Sequence, residues 1–258
     1  MKQLVKTEFY KLCKADHTLM LALLLLYPVM WSVLVYRDEV ILLENGHSML
    51  SWILIQLFSI EKPFVLTLVL GIIANTIVGE EKRKGYFPMI QSRGIRTEQI
   101  YPAKAVAIMG YFFLIFLVTM AVIAVFYTLF VRNHTTIASG RLVNTGELIP
   151  GIKILLIWVL DKCVLFPSIF TWLSKKWNMM KTVILIFLFS LLDRGIAMLP
   201  KISVFSIWKN YKNAEHFVSL CREGRLEIHM GILIQIMLCS GIVLLLMKRG
   251  QVKKQWVE

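Results

Sequence analysis

Apolar and polar positions in this chain come in long blocks. A membrane-crossing helix takes roughly 17–25 mainly apolar residues. Six blocks approach or meet that length: 18–36, 63–78, 105–131, 151–173, 182–199 and 230–247. The pattern predicts an all-α membrane protein with six transmembrane helices. The second block has an irregular approach, because the apolar run 52–60 leads straight into Glu61-Lys62. That interruption predicts a bent or re-entrant start. Residues 1–17 place Leu4, Val5, Phe9, Leu12 and Cys13 among lysines, the pattern of an amphipathic helix lying on the inner leaflet. The chain thus divides into this interfacial helix (1–17) and a transmembrane domain (18–258). In the segment 200–229, Val204, Phe205, Ile207, Trp208 and Tyr211 cluster, followed by Phe217, Val218 and Leu220. Tryptophan and tyrosine favour the membrane interface. Short helices resting at the outer surface, or dipping into it, are expected there.

Composition supports the membrane reading. The 258 residues are 57% hydrophobic and only 17% charged, with a mean hydropathy of +0.68. Soluble domains carry about 25% charge. Spans consume most of the length, so no large soluble domain fits. About seventeen polar-rich residues precede the first apolar run, with no small-residue cleavage site after it, so no cleavable signal is expected.

The net charge is +13. In a soluble protein this would point to nucleic acid. Here the basic residues flank the spans and set topology, so no nucleic-acid partner is expected. One side of the bundle holds seventeen: Lys2, Lys6, Lys11, Lys14, Lys82, Arg83, Lys84, Arg93, Arg96, Lys104, Lys175, Lys176, Lys181, Lys248, Arg249, Lys253 and Lys254. The other holds eight: Arg37, Arg132, Arg141, Lys201, Lys209, Lys212, Arg222 and Arg225. The positive-inside rule makes the first set cytoplasmic. Both termini then lie inside, as an even number of spans requires.

Familiar catalytic devices are missing. The chain has no GxxxxGK[ST] phosphate loop and no HExxH or GxSxG motif. The four cysteines (13, 163, 221, 239) form no CxxC pair, and the five histidines (17, 47, 134, 216, 229) have no metal spacing. No metal site or bound cofactor is expected.

Charged residues inside spans are costly, and they are usually paired or functional. The fourth block carries Asp161 and Lys162, and the fifth carries Asp193 and Arg194. The two blocks run antiparallel, which allows Asp161 to meet Arg194, or Lys162 to meet Asp193. Adjacent helical residues point about 100° apart, so both pairs do not share one seam. An ion pair fixing helix register is favoured over a substrate path or proton relay. An Asp161–Asp193 catalytic dyad is disfavoured, because each aspartate already has an adjacent base.

The polar island 79–104 between the second and third blocks is richer than a connector needs. It reads Glu80-Glu81, then Lys82-Arg83-Lys84-Gly85, then Tyr86, Phe87, Met89, Ile90, Ser92, Arg93 and Arg96, and ends in Ala103-Lys104. In this position and order it resembles the coupling segment of ABC type-2 exporter permeases. The six spans, amphipathic leader, internal termini and external segment between the last two spans fit that superfamily as well. The chain looks most similar to the bacteriocin- or lantibiotic-immunity and peptide-export permeases of Gram-positive bacteria. It departs from many members in having Tyr86 after the glycine, where Thr or Ser is common, and in lacking a proline just before the arginine.

The resemblance implies a subunit of the bacterial cytoplasmic membrane that is not itself an enzyme. Two copies of a separate ATPase subunit would hold ATP and magnesium, and a second permease, identical or homologous, would complete the complex. Coupling would fall to Glu80, Glu81, Tyr86, Phe87, Met89, Ile90, Arg93 and Arg96, with the coupling helix around 88–96. The implied substrate is a hydrophobic or amphipathic peptide taken from the membrane, with a drug or lipid-like compound as the alternative. A membrane scaffold or sensor is the competing reading. Topology anchoring accounts equally well for the Lys82–Lys84 run.

Overall fold

The computed structural model describes residues 2–37, 45–62, 64–83, 85, 92, 94–95, 97–133, 137–176, 179–199, 203, 206–226, 228 and 230–249. These residues are overwhelmingly helical. They form α1 (Lys2–Lys14), α2 (Thr18–Tyr36), α3 (Met49–Glu61), α4 (Val65–Arg83) and α5 (Thr97–Phe126), the last continuing as a π-helical segment, Tyr127–Val131. Next come α6 (Leu148–Trp158), a second π segment (Val159–Leu165) and α7 (Phe166–Lys176), in one unbroken run. The chain continues through α8 (Met179–Ala197), the short α9 (Ile207–Lys212) and α10 (Phe217–Arg222), and α11 (Met230–Arg249).

Among the described residues three stretches are long and apolar enough to cross a membrane: Leu19–Tyr36, Gln99–Val131 and Leu148–Ser174. A fourth arises if α3 and α4, which meet at a 69° bend, count as one broken span. Helices α8 and α11 stand where the fifth and sixth blocks are expected. Within α8, however, Lys181, Asp193 and Arg194 interrupt the apolar run, and the apolar stretch described for α11 is the shorter Ile232–Leu245.

Helix α3 is the core of the molecule. Eleven of its thirteen residues are buried, including Trp52, Leu54 and Ile60. It packs against α2, α4, α5, α6 and α10. A helix buried on all sides cannot leave its terminal amides to water. Ser48 caps it by accepting from the Ser51 amide at 3.2 Å. The Met49 and Leu50 amides donate to the carbonyls of Arg141 and Leu142, both at 3.1 Å. The same junction ties His47 to the loop after α5: the His47 amide donates to the Ile137 carbonyl, and Tyr127 Oη donates to the His47 carbonyl at 2.9 Å.

Gly151 makes the close approach of α6 to α3 possible. A Cβ there would sit 2.5 Å from Leu50 Cδ2. Gly151→Ala is expected to destabilise the protein by about 1–3 kcal/mol through overpacking. Thermal unfolding of the purified protein, with Gly195→Ala as a control at an open position, measures this.

The N-terminal helix packs on protein along one face. Its apolar face lies against α5, with Leu12 buried and Val5 and Phe9 packed on the core. Phe9 crosses Tyr111 edge-on and fits over Gly110. The face also contains Glu8, whose carboxylate accepts from Lys104 Nζ at 2.7 Å, both residues fully buried. Cys13, expected on the apolar face, is exposed. The reason is periodicity: positions 5, 8, 9 and 12 share one side of a 3.6-residue helix, and 13 turns away from it.

Candidate functional site

The α3–α4 break is where polar groups converge. Phe64, the residue just before α4, adopts φ 62°. A bulky residue in the left-handed region is strained and persists only where its surroundings hold it. The holding groups are identifiable. The Phe64 amide donates to the Glu61 carbonyl at 2.8 Å, closing a tight turn. Arg194 of α8 donates through Nη1 to the Lys62 carbonyl and through Nη2 to the Glu61 carbonyl, both at 2.8 Å. A cation at the C-terminal carbonyls of a helix satisfies orphan acceptors and complements the dipole. The guanidinium lies between two rings, 3.5 Å from the Phe64 centroid and 3.8 Å from that of Trp208.

Glu61 serves the other side of the break. Its carboxylate accepts from the Thr67 amide at 3.3 Å and the Thr67 hydroxyl at 2.6 Å, and so caps the first turn of α4. A buried carboxylate needs a counter-charge. Lys162 supplies it, donating to Glu61 Oε1 at 2.9 Å, to Asp161 Oδ2 at 3.2 Å and to Thr67 Oγ1 at 3.1 Å. The contacts to Glu61 and Thr67 are hydrogen bonds, and the one to Asp161 is an ion pair. Asp161 Oδ2 also accepts from the Tyr211 hydroxyl at 2.7 Å. Tyr211 is stacked on Trp158 with centroids 4.0 Å apart. Burial, and then the negative charge of Asp161, hold the Tyr211 phenol well above its ordinary pKa, so it remains a donor.

Asp161 and Lys162 both reach the cluster because they lie in the π segment. Its i→i+5 bonding gives a wider turn than an α-helix, so consecutive side chains diverge less. Asp193 takes a separate role. Its two oxygens accept from the amides of Ile207 at 3.1 Å and Trp208 at 2.8 Å, capping α9. The Ser206 hydroxyl donates to the Asp193 carbonyl.

The four charges picked out from the sequence therefore meet at one site, but with other partners. Lys162 pairs with Glu61 and Asp161, not with Asp193. Arg194 binds backbone carbonyls, not Asp161. Sequence reasoning missed Glu61 and Tyr211 as partners. Their signals were present: a charge interrupting an apolar run at Glu61-Lys62, and an aromatic cluster at 204–211.

Below this cluster lies a cavity of about 410 Å³. The charged end is formed by Glu61, Asp161, Lys162, Asp193 and Arg194. The walls are apolar, with Phe166, Ile169 and Trp172 from α7, Phe189 from α8 and Val243 from α11. Pockets for small molecules run from about 300 to 1,000 Å³ and combine apolar walls with a few polar groups. No group of three His, Cys, Asp or Glu side chains among the described residues could hold a metal ion.

Arg194→Lys keeps the charge but loses the two-carbonyl fork and the stacking between rings. It is expected to cost about 1–3 kcal/mol, from weakened charge-assisted hydrogen bonds. A lower unfolding temperature, with faster amide exchange around 61–67, is the measurement.

Of the coupling residues expected from the island, Tyr86, Phe87, Met89, Ile90, Arg93 and Arg96 lie outside the described residues. Glu80 and Glu81 fall within α4, of which only the backbone is described there. Gly85 and Gly94 have φ of +69° and +79°, left-handed conformations that glycine adopts without strain. Helix α5 begins at Thr97.

No protein-family model matches the chain, and no curated protein or solved structure matches it.

Proposed function

We propose that this chain is the membrane-embedded permease subunit of an ABC exporter, which moves a hydrophobic or amphipathic compound, such as a cytolytic peptide, out of the membrane. In this reading six spans (α2, the bent α3–α4 pair, α5, α6–α7, α8 and α11) place both termini in the cytoplasm of a bacterial cell. The observation that carries it is the path of α4. This helix starts at the charged cluster, where Glu61 caps Thr67, and runs without a break to Glu80, Glu81 and Arg83 at the edge of the polar island. Helix α5 leaves the island directly and packs against α7 and the π segment that carries Lys162. A push on the island would reach both the cluster and the cavity through rigid helices. The chain has no phosphate loop of its own, so the push would come from a separate ATPase, two copies per pair of permeases.

Deleting residues 86–96 is expected to abolish co-purification of an ATP-hydrolysing partner, while the permease still inserts in the membrane. An ATPase that stays bound to the deletion variant refutes the coupling assignment. A cytoplasmic partner without ATPase activity would favour the scaffold reading.

A further inference from the structure

The cavity below the charged cluster has a definite charge sum. Its wall holds three carboxylates (Glu61, Asp161, Asp193) and two cations (Lys162, Arg194). The lysines of α9, Lys209 and Lys212, are not on the wall, and Lys62 is already paired with Glu215 at 3.1 Å. The ionised wall therefore sums to one negative charge. Arg194 spends two of its five N–H donors on the Lys62 and Glu61 carbonyls, and its faces are covered by the Phe64 and Trp208 rings. The spare acceptor capacity of the wall lies on one carboxylate. Lys162 is hydrogen-bonded to Glu61 and Thr67 and ion-paired with Asp161, both oxygens of Asp193 accept from α9 amides, and both oxygens of Glu61 accept from Thr67. Asp161 bonds through Oδ2, and among the described residues no bond reaches its Oδ1. The Asp161 side chain retains 14% exposure, on the cavity wall. Beyond it the lining is almost wholly apolar.

We infer that the cavity binds a cationic amphiphile, whose amine meets Asp161 Oδ1 and whose hydrocarbon body lies along Ile169, Trp172, Phe189 and Val243. A cation completes the charge balance of the wall. An anion would add to a net negative site of low dielectric and meet repulsion. A neutral head leaves the residual charge uncompensated. The hydrocarbon body gains from burial against apolar walls. This inference rests on the permease reading only for its meaning as a substrate site. The preference for head charge is a property of binding alone.

The test uses the full-length protein in lipid nanodiscs, with labelled dodecylamine as the probe. Dodecanoate and dodecanol, which share its tail, are the competitors, and empty nanodiscs set the background. Dodecylamine should bind saturably, and the two competitors should displace it on the order of tenfold less well than unlabelled amine. Asp161→Asn should weaken binding by a similar factor, and Ser190→Trp, which fills the cavity, should abolish it. Equal displacement by all three heads, or stronger displacement by dodecanoate, overturns the inference. So does saturable binding that survives Ser190→Trp, which decides the matter if Asp161→Asn does not fold. Amine binding without any ATPase association would remove the permease reading and leave this inference standing. ATPase association without head preference would do the reverse.

Discussion

Lys162→Met is expected to cost about 3–5 kcal/mol, because it strips the counter-charge from two carboxylates at once, the buried Glu61 and the partly exposed Asp161. Glu61 Oε1 and Asp161 Oδ2 both accept from Lys162 Nζ, and Glu61 is almost fully buried. Two carboxylates left together in low dielectric repel, and one must take a proton or the helices must part. The α3–α4 break loses support at the same time, since Glu61 caps α4. A fall in the yield of monodisperse protein, with a depressed unfolding temperature, is the expected readout. The double variant Lys162→Met/Glu61→Gln should regain part of the loss, because one stranded charge is gone. A single variant as stable as the parent would show that the Glu61–Lys162 pair carries no net stability. A double variant worse than the single would show that the two residues act independently.

Glu8→Leu is expected to have the next largest effect, also about 3–5 kcal/mol, since it breaks the buried ion pair with Lys104 and the Lys11 contact on the same carboxylate. Both residues are fully buried, and the pair joins the N-terminal helix to the first turns of α5. The consequence should be local as well as global. Helix α1 should become sensitive to protease at the exposed Lys2, Lys6 and Lys14 before the bundle unfolds. Glu8→Leu/Lys104→Met, an apolar replacement of the pair, should restore resistance. If Glu8→Leu leaves α1 as protected as before, the helix is held by Leu12 and Phe9 alone.

Much of this arrangement is legible in the sequence, for reasons specific to particular residues. The block 18–36 corresponds end to end with α2, because its apolar run is continuous and polar residues flank it. The bend after Glu61 is legible because two charges interrupt an otherwise apolar stretch. Asp161, Lys162, Asp193 and Arg194 stand out because charge inside an apolar helix is expensive. Their partners are not legible. Glu61 precedes Lys162 by 101 residues, and no local pattern spans that separation. Asp193 and Arg194 bind backbone amides and carbonyls, which every residue carries and no side-chain pattern marks. The π segment at 159–165 leaves no compositional trace, yet it decides which way Asp161 and Lys162 face. On the N-terminal helix, alternating lysines and apolar residues suggest a lipid-facing stripe. The structure sets that stripe against α5, with Glu8 buried in it.

Consecutive residues of α8 hold two different elements. Arg194 grips the end of α3, and Asp193 grips the start of α9. Helix α9 in turn holds Asp161 through Tyr211, and Lys162 returns to Glu61, the residue whose carbonyl Arg194 grips. Followed around, these links form a closed circuit through α3, the π segment, α9 and α8. A circuit has no slack end where a displacement can be lost. Its four members either travel as one body or part at a single link, so a load arriving along α4 would meet a threshold rather than a spring.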